Sequence, residues 1–386
     1  MARAQPTPQA VRHGQHLPAL DGLRGVAIVG VLLFHTGYLA GGFLGVDLFF
    51  ALSGYLITDQ LLREAESTGT VSLVAFWGRR ARRLLPALAT MLAGVTLLVW
   101  WVGPPDLVRT TLADGPWVQL NLVNWHLLAE SAGYWDRFGA ARVFEHLWSI
   151  AVEEQFYLVW PVLVAVWWRR AAAVAAVISV VSLVAMVVLV DPADPTRVYT
   201  GTDTRAFSLL LGAVVATPPV RALLGRVAAR WVGSVLASLA AGIGVAWLVA
   251  DGVGSSWLFR GGLFAHSLAS AVLVGLCVRV PDAVVARVLT WRPLRWLGLV
   301  SYSLYLWHWP VFVLLAAQSA WLRIGVAVGL AALSRYLVED PVRFRAGWAR
   351  GRGGVVAFVA VMAGLAVLWL VLPAPAPPVV DVTELN

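Results

Sequence analysis

Residues 17–58, LPALDGLRGVAIVGVLLFHTGYLAGGFLGVDLFFALSGYLIT, read as two membrane-spanning helices joined by a glycine corner. Three ionisable groups interrupt this apolar stretch: Arg24 at its mouth, His35 deep inside and Asp47 after the corner. Such side chains are costly to hold in hydrocarbon, so each is a candidate functional residue. Arg24 and His35 are eleven residues apart. At ~100° per residue both fall on one helix face, roughly 16 Å apart along the axis. One face therefore links the membrane surface to a histidine expected near mid-bilayer.

The rest of the chain has the same character. Of 386 residues, 60% are hydrophobic and 13% charged, and mean hydropathy is +0.77. That composition excludes an ordinary soluble globule and fits a polytopic helical membrane protein. The net charge of +8 comes from 29 arginines, with no lysine. Cys277 stands alone in an apolar run, so no disulfide framework is expected. The first twenty residues lack the apolar core of a cleavable signal peptide.

Spans are expected at 23–40, 43–62, 84–102, 147–168, 171–190, 205–219, 231–250, 262–280, 296–316, 320–338 and 354–372. With the N-terminus inside, 18 arginines fall in inner loops and seven in outer ones, the asymmetry the positive-inside rule requires. The chain is thus expected in the cell membrane, with a cytoplasmic N-terminus and an extracytoplasmic C-terminus. The long piece 103–146 is tryptophan-rich but broken by Gln119, Asn121, Asn124, His126 and Glu130. It reads as an interfacial or re-entrant helix on the outer side. The expected organisation is a tail over 1–16, a membrane core over 17–345, a further span at 354–372 and a proline-rich spacer over 373–386.

Counting helix rise from the inner arginines puts His35 about 16 Å and His308 about 20 Å above their floor, on two different helices. Asp47, Glu153 and Glu154 come to about 22–24 Å on the same scale. Asp203 and Arg205 lie at the outer end of their span. Unpaired carboxylates do not stay ionised at such depth, so Arg205 is expected to pair with Asp47, Glu153 or Glu154. Ser149 lies four residues before Glu153 and shares its face. In RRARR, residues 79–83, four guanidinium groups at a helix entrance suit phosphate oxygens, although inner basic runs also serve as topology signals. A histidine within a span is also a common helix-to-helix hydrogen-bonding residue. No HExxH, CxxC, P-loop or GxSxG motif occurs, so neither a metal nor a bound cofactor is expected. No nucleic-acid partner is expected either, since the arginines follow membrane topology.

The pieces ALDGLRGVAIVGVLLFH, GGFLGVDLFFALSGYLIT, RRARRLLPAL, NW followed by YWD, HLWSIAVEEQFYLVWP, GTDTRAFSLLLGA, YSLYLWHWPV and VEDPVR occur in that order across residues 17–345. In them the chain resembles the acyltransferase-3 family of integral membrane proteins, which modify cell-surface polysaccharides, peptidoglycan, lipopolysaccharide and some secondary metabolites. The resemblance implies an all-α, ten-helix membrane bundle, here with one additional C-terminal span. Larger relatives add an extracytoplasmic SGNH-type domain after an eleventh helix. It further implies that His35 matches the family's essential histidine and Arg24 its companion arginine. Arg79, Arg80, Arg82 and Arg83 match the basic motif linked to the acyl donor, and Ser149 and Glu153 match a polar pair. The implied activity is O-acyl transfer, acetyl in the simplest case, from acyl-CoA to a glycan, peptidoglycan or glycosylated-metabolite hydroxyl. His35 would be base or acyl carrier, with Glu153 or Glu154 orienting it. Asp47, Asp203, Arg205 and His308 are expected to support the site. Two other readings use the same residues: a proton-coupled transporter, and a membrane anchor for an external domain.

Overall fold

The structure is a computed structural model that describes residues 17–135 and 141–376. The expected N-terminal tail, Arg137 and most of the proline-rich spacer lie outside the described residues. Every regular element within them is helical.

Helix α1 (Pro18–His35) starts on a proline, whose fixed φ and missing N–H suit a first turn. The span expected to reach residue 40 stops at His35. Gly37 adopts a left-handed φ of 80°, and the N–H of Tyr38 bonds back to the carbonyl of Leu33 at 2.9 Å. That is a glycine-closed helix end. His35 is therefore the last residue of α1 and half-buried. A short 3-10 turn, Ala40–Leu44, leads into α2 (Gly45–Thr68).

Helix α3 (Leu73–Val102) begins eleven residues earlier than expected, because Ser72 caps it by accepting the N–H of Ala75 at 3.4 Å. The basic run thus lies inside a helix of 30 residues, about 45 Å long. Helices α4 (Pro105–Gln119) and α5 (Val123–Ala129) are each too short to cross a bilayer, and Asn121 turns between them with φ 56°. Helices α6 (Trp148–Trp167) and α7 (Ala171–Leu189) flank the 3-10 turn Trp168–Arg170. Gln155 of α6 meets Thr202 at 2.6 Å, and Ser182 of α7 accepts the N–H of Phe207 at 3.3 Å. Both helices therefore reach the start of the same neighbour, and the pair is a hairpin.

That neighbour is α9 (Thr202–Ala216), preceded by α8 (Thr196–Thr200) and followed at a 68° bend by α10 (Pro218–Gly225). The bend falls at Thr217, which Pro218 holds extended at ψ 149°. The remaining helices are α11 (Ala229–Val249), α12 (Leu263–Arg279), α13 (Val284–Leu289), α14 (Arg292–Leu314), α15 (Ala320–Ser334) and α16 (Gly351–Val371). Among the described residues, nine helical runs are long and apolar enough to cross a membrane, or ten if the bent pair is one span. That count treats residues 145–189 as one run of 45 residues. At about 67 Å when straight, this run is over twice the hydrocarbon thickness. Its two helices cross separately.

The core is an inner ring in which α1 lies along α14 and α2 along α9, with α12 beside both α2 and α9. The last helix, α16, lies outside it against α3 and α4, where Trp369 donates to Gln119 at 2.7 Å. Without water in the bilayer to drive helices together, close packing through small residues does so. A side chain at Gly54 would put its Cβ 1.8 Å from the Leu209 carbonyl oxygen, and one at Gly212 would sit 2.1 Å from that of Ala51. The α2–α9 contact is therefore backbone on backbone. Gly54→Ala is expected to destabilise the bundle by about 1–3 kcal/mol through overpacking. Gly242→Ala, which meets nothing within 4 Å, is expected to be neutral. Thermal unfolding in detergent checks the pair, and equal midpoints would refute the contact.

Candidate active site

Five helices leave a cavity between them, with about 620 Å³ of atom-free space counted to its open mouth. Three guanidinium groups line it: Arg24 from α1, and Arg80 and Arg83 from α3. Opposite are Glu153, Glu154, Tyr157 and Ser149 from α6, with Ser53 from α2 and Tyr302 and Tyr305 from α14. Glu153 is held in place, since Ser53 and Tyr157 both donate to its Oε1. Glu154 lies within electrostatic reach of Arg80 and Arg83.

The basic run divides. Arg80 and Arg83, three residues apart, share the cavity face. Arg79 is ion-paired with Glu64 at 3.2 Å, and neither it nor Arg82 lines the cavity.

His35 does not line the cavity. Its ring packs against Trp309 (centroids 4.6 Å apart), Phe34 (4.9 Å) and His308 (5.2 Å). His308 in turn lies 5.2 Å from the Tyr305 ring. The order from the arginines outward is cavity, Tyr305, His308, His35. The expectation that His35 and His308 share a depth on different helices matches this arrangement. No hydrogen bond joins Glu153 or Glu154 to His35 among the described residues. Ser149 shares the cavity with Glu153 but bonds to Tyr305, hydroxyl to hydroxyl at 2.6 Å.

Two further groups stand apart from the cavity. Arg205 pairs with Asp47 at 2.9 Å, both fully buried, and Asp47 Oδ1 also accepts from Ser208 and Ser267 at 3.0 Å each. This clasp joins α2, α9 and α12. Asp203 takes a bidentate pair from Arg197 at 2.7 and 2.9 Å at the start of α9.

Sequence reading assigned no role to Tyr157, Tyr305, Ser53 or His146. Tyr157 lies four residues after Glu153, and Tyr305 three before His308, helical spacings that would have found them. Ser53 and His146 carry no such signal, because their partners lie on other helices. Also unforeseen is a cluster beneath α4, where buried Asp114 meets Arg142 at 2.5 Å and His126 at 3.1 Å. Burial pushes the Asp114 carboxyl up from its ordinary value, and these two partners hold the rise back. The carbonyl of Arg142 accepts the indole N–H of Trp309 at 2.8 Å, which fixes the ring that packs on His35.

The chain belongs to the acyltransferase-3 family: a family model described as an acyltransferase domain matches residues 17–333. It is a multi-pass membrane protein. Relatives include YrhL of Bacillus subtilis (strain 168), 38% identical over 355 residues that cover 86% of this chain and 56% of the relative. Peptidoglycan O-acetyltransferase OatA of Listeria monocytogenes serovar 1/2a is 33% identical over 351 residues, 85% of this chain and 56% of the relative. O-acetyltransferase OatA of Staphylococcus aureus (strain NCTC 8325 / PS 47) is 34% identical over 352 residues, 85% and 57%. The chain thus spans a little over half the length of the curated relatives it matches. No solved structure matches it.

The clasp yields a prediction. Arg205→Leu strands a buried carboxylate and is expected to destabilise the bundle by about 3–5 kcal/mol. Asp47→Leu with Arg205→Leu removes both charges and is expected to recover much of that stability. Unfolding midpoints in detergent check this, and a double variant no better than the single one would show that the pair does more than neutralise itself.

Proposed function

We propose that this chain transfers an acyl group, acetyl in the simplest case, from acyl-CoA on the arginine-rich side to a hydroxyl of a cell-wall glycan on the opposite side. The observation that carries the reading is an arginine-lined cavity with Tyr305 on its wall, His308 packed on Tyr305 and the half-buried His35 packed on His308. The distribution of arginines supports a cytoplasmic cavity mouth. The names of the two OatA relatives support acetyl as the group, and the Listeria name supports peptidoglycan as the acceptor.

Arg80, Arg83 and Arg24 are the groups to hold the donor's phosphates, since guanidinium forks match phosphate oxygens. A thioester needs little activation, so the protein has chiefly to position it and supply a base. In this mechanism the thioester arm passes Tyr305 and His308 to meet the acceptor, and His35 takes the proton of the acceptor hydroxyl as its oxygen attacks the thioester carbonyl carbon. The carbon–sulfur bond breaks, and the departing thiolate takes the proton from His35. The products are the ester and free CoA, with no net proton taken up. Glu153, fixed by Ser53 and Tyr157, acts on the donor side beside the arginines and not on His35.

Transfer from radiolabelled acetyl-CoA to a muropeptide, with full-length protein in liposomes, tests the reading. His35→Ala is expected to lower kcat by about 10²–10⁴-fold, the range of a lost general base. Arg80→Ala with Arg83→Ala is expected to raise KM for acetyl-CoA by more than about tenfold, roughly two phosphate hydrogen bonds. Arg79→Ala, whose guanidinium is spent on Glu64, should leave KM unchanged. Full activity in His35→Ala would defeat the assignment, and proton-coupled uptake without an acyl donor would replace it with transport.

A further inference from the structure

His308 is fully buried, and its two ring nitrogens differ. Nδ1 lies 2.7 Å from the carbonyl oxygen of Tyr305. A carbonyl only accepts, so Nδ1 carries the proton and Nε2 is a bare lone pair. No donor among the described residues reaches Nε2. Leaving a buried acceptor unmatched is costly, so a donor is to be sought nearby.

Two other imidazoles adjoin it. His146 lies 5.3 Å away, but its Nε2 is 3.2 Å from the Leu306 carbonyl, so its proton is already placed there. His35, at 5.2 Å and 41°, remains. Two imidazoles joined N–H to N at ~2.9 Å have centroids roughly 5 Å apart, so the observed spacing suits that bond. A turn of the half-buried His35 ring would complete it. Among the described residues no hydrogen bond joins a carboxylate to His35: Glu153 is engaged by Ser53 and Tyr157, and Asp47 by Arg205.

We propose that His308 is the residue that orients the catalytic histidine: its Nε2 accepts an N–H of His35. The proposal rests on the reading of His35 as base. The Tyr305 carbonyl fixes the tautomer of His308, and His308 fixes that of His35. The other nitrogen of His35 is then bare and presented to the acceptor hydroxyl. When that nitrogen takes the hydroxyl proton, the bond to His308 persists and stabilises the imidazolium until the thiolate removes the proton. His308 touches no reacting atom and is a positioning residue.

The test uses full-length protein in liposomes with acetyl-CoA and a muropeptide. His308→Phe fills the space without an acceptor, and His308→Gln can return an oxygen near Nε2. His308→Phe is expected to lower kcat by about 10²-fold, with KM for acetyl-CoA held within about twofold. His308→Gln is expected to recover at least about fivefold over the phenylalanine variant. Nitrogen-15 NMR of labelled histidine is expected to show one tautomer for His35 in the unaltered protein and a mixture in His308→Phe. Activity of His308→Phe within about threefold of the unaltered protein overturns the proposal. Equal loss in both variants, or a mixed His35 tautomer in the unaltered protein, also overturns it. An active His35→Ala would remove the base reading and this inference together. An inactive His35→Ala beside an active His308→Phe removes the inference alone.

Discussion

A guanidinium and a carboxylate enclosed in an apolar bundle must find each other, and the Asp47–Arg205 pair is where this chain meets that constraint. Removing one partner strands an uncompensated charge, so the pair can form only when α2 and α9 are in register. Ser208 and Ser267 add hydroxyl donors to the same carboxylate oxygen and bring α12 into the arrangement. The close backbone approach at Gly54 and Gly212 then has a fixed register in which to occur. Ser53, one residue before Gly54, is turned by that register toward α6, where it donates to Glu153. The clasp is remote from the proposed chemistry, yet it sets one wall of the cavity.

The bundle was legible in the sequence because length and apolarity carry most of what a lipid-embedded helix needs. Helix ends were less so. The apolar run of α1 continues past His35, and only the left-handed Gly37 stops the helix there. The Ser72 cap starts α3 before its apolar part begins, which moved the basic run from a helix entrance into a helix body. In the site, depth counting brought His35 and His308 together and Arg205 to a carboxylate, because both depend on rise along an axis. Division of the basic run was beyond such reading, since Glu64 takes Arg79 from another helix. The hydrogen bonds of Glu153 escaped it for a similar reason: one of its two donors, Ser53, comes from another helix.

A cell-surface acyl transfer requires that a charged donor and a bulky acceptor meet without a continuous aqueous hole. The arrangement answers with a cavity that ends on side chains whose polar atoms are already engaged. The Tyr305 hydroxyl contacts Ser149 at 2.6 Å and donates to the His146 carbonyl at 3.0 Å, so the inner wall is pinned from α6 and the loop before it. On the far side of that wall lie the His308 and His35 imidazoles and Trp309. Trp309 is itself fixed through Arg142, and Arg142 through Asp114, so the short outer helices help to define how the His35 ring sits.

A carboxylate is the usual partner that orients a catalytic imidazole in water-exposed enzymes. Within an apolar bundle that choice brings a second buried ion, which needs its own cation and its own hydrogen bonds. The Asp47–Arg205 clasp shows how much structure one such ion demands: an arginine and two serines from two further helices. A neutral imidazole presents the same acceptor lone pair without a charge to solvate, and needs only one backbone carbonyl to fix its tautomer. Tyr305, one turn before His308 on α14, supplies that carbonyl. On the proposed reading of His35 and His308, the lipid environment favours a histidine where a soluble enzyme would use an aspartate.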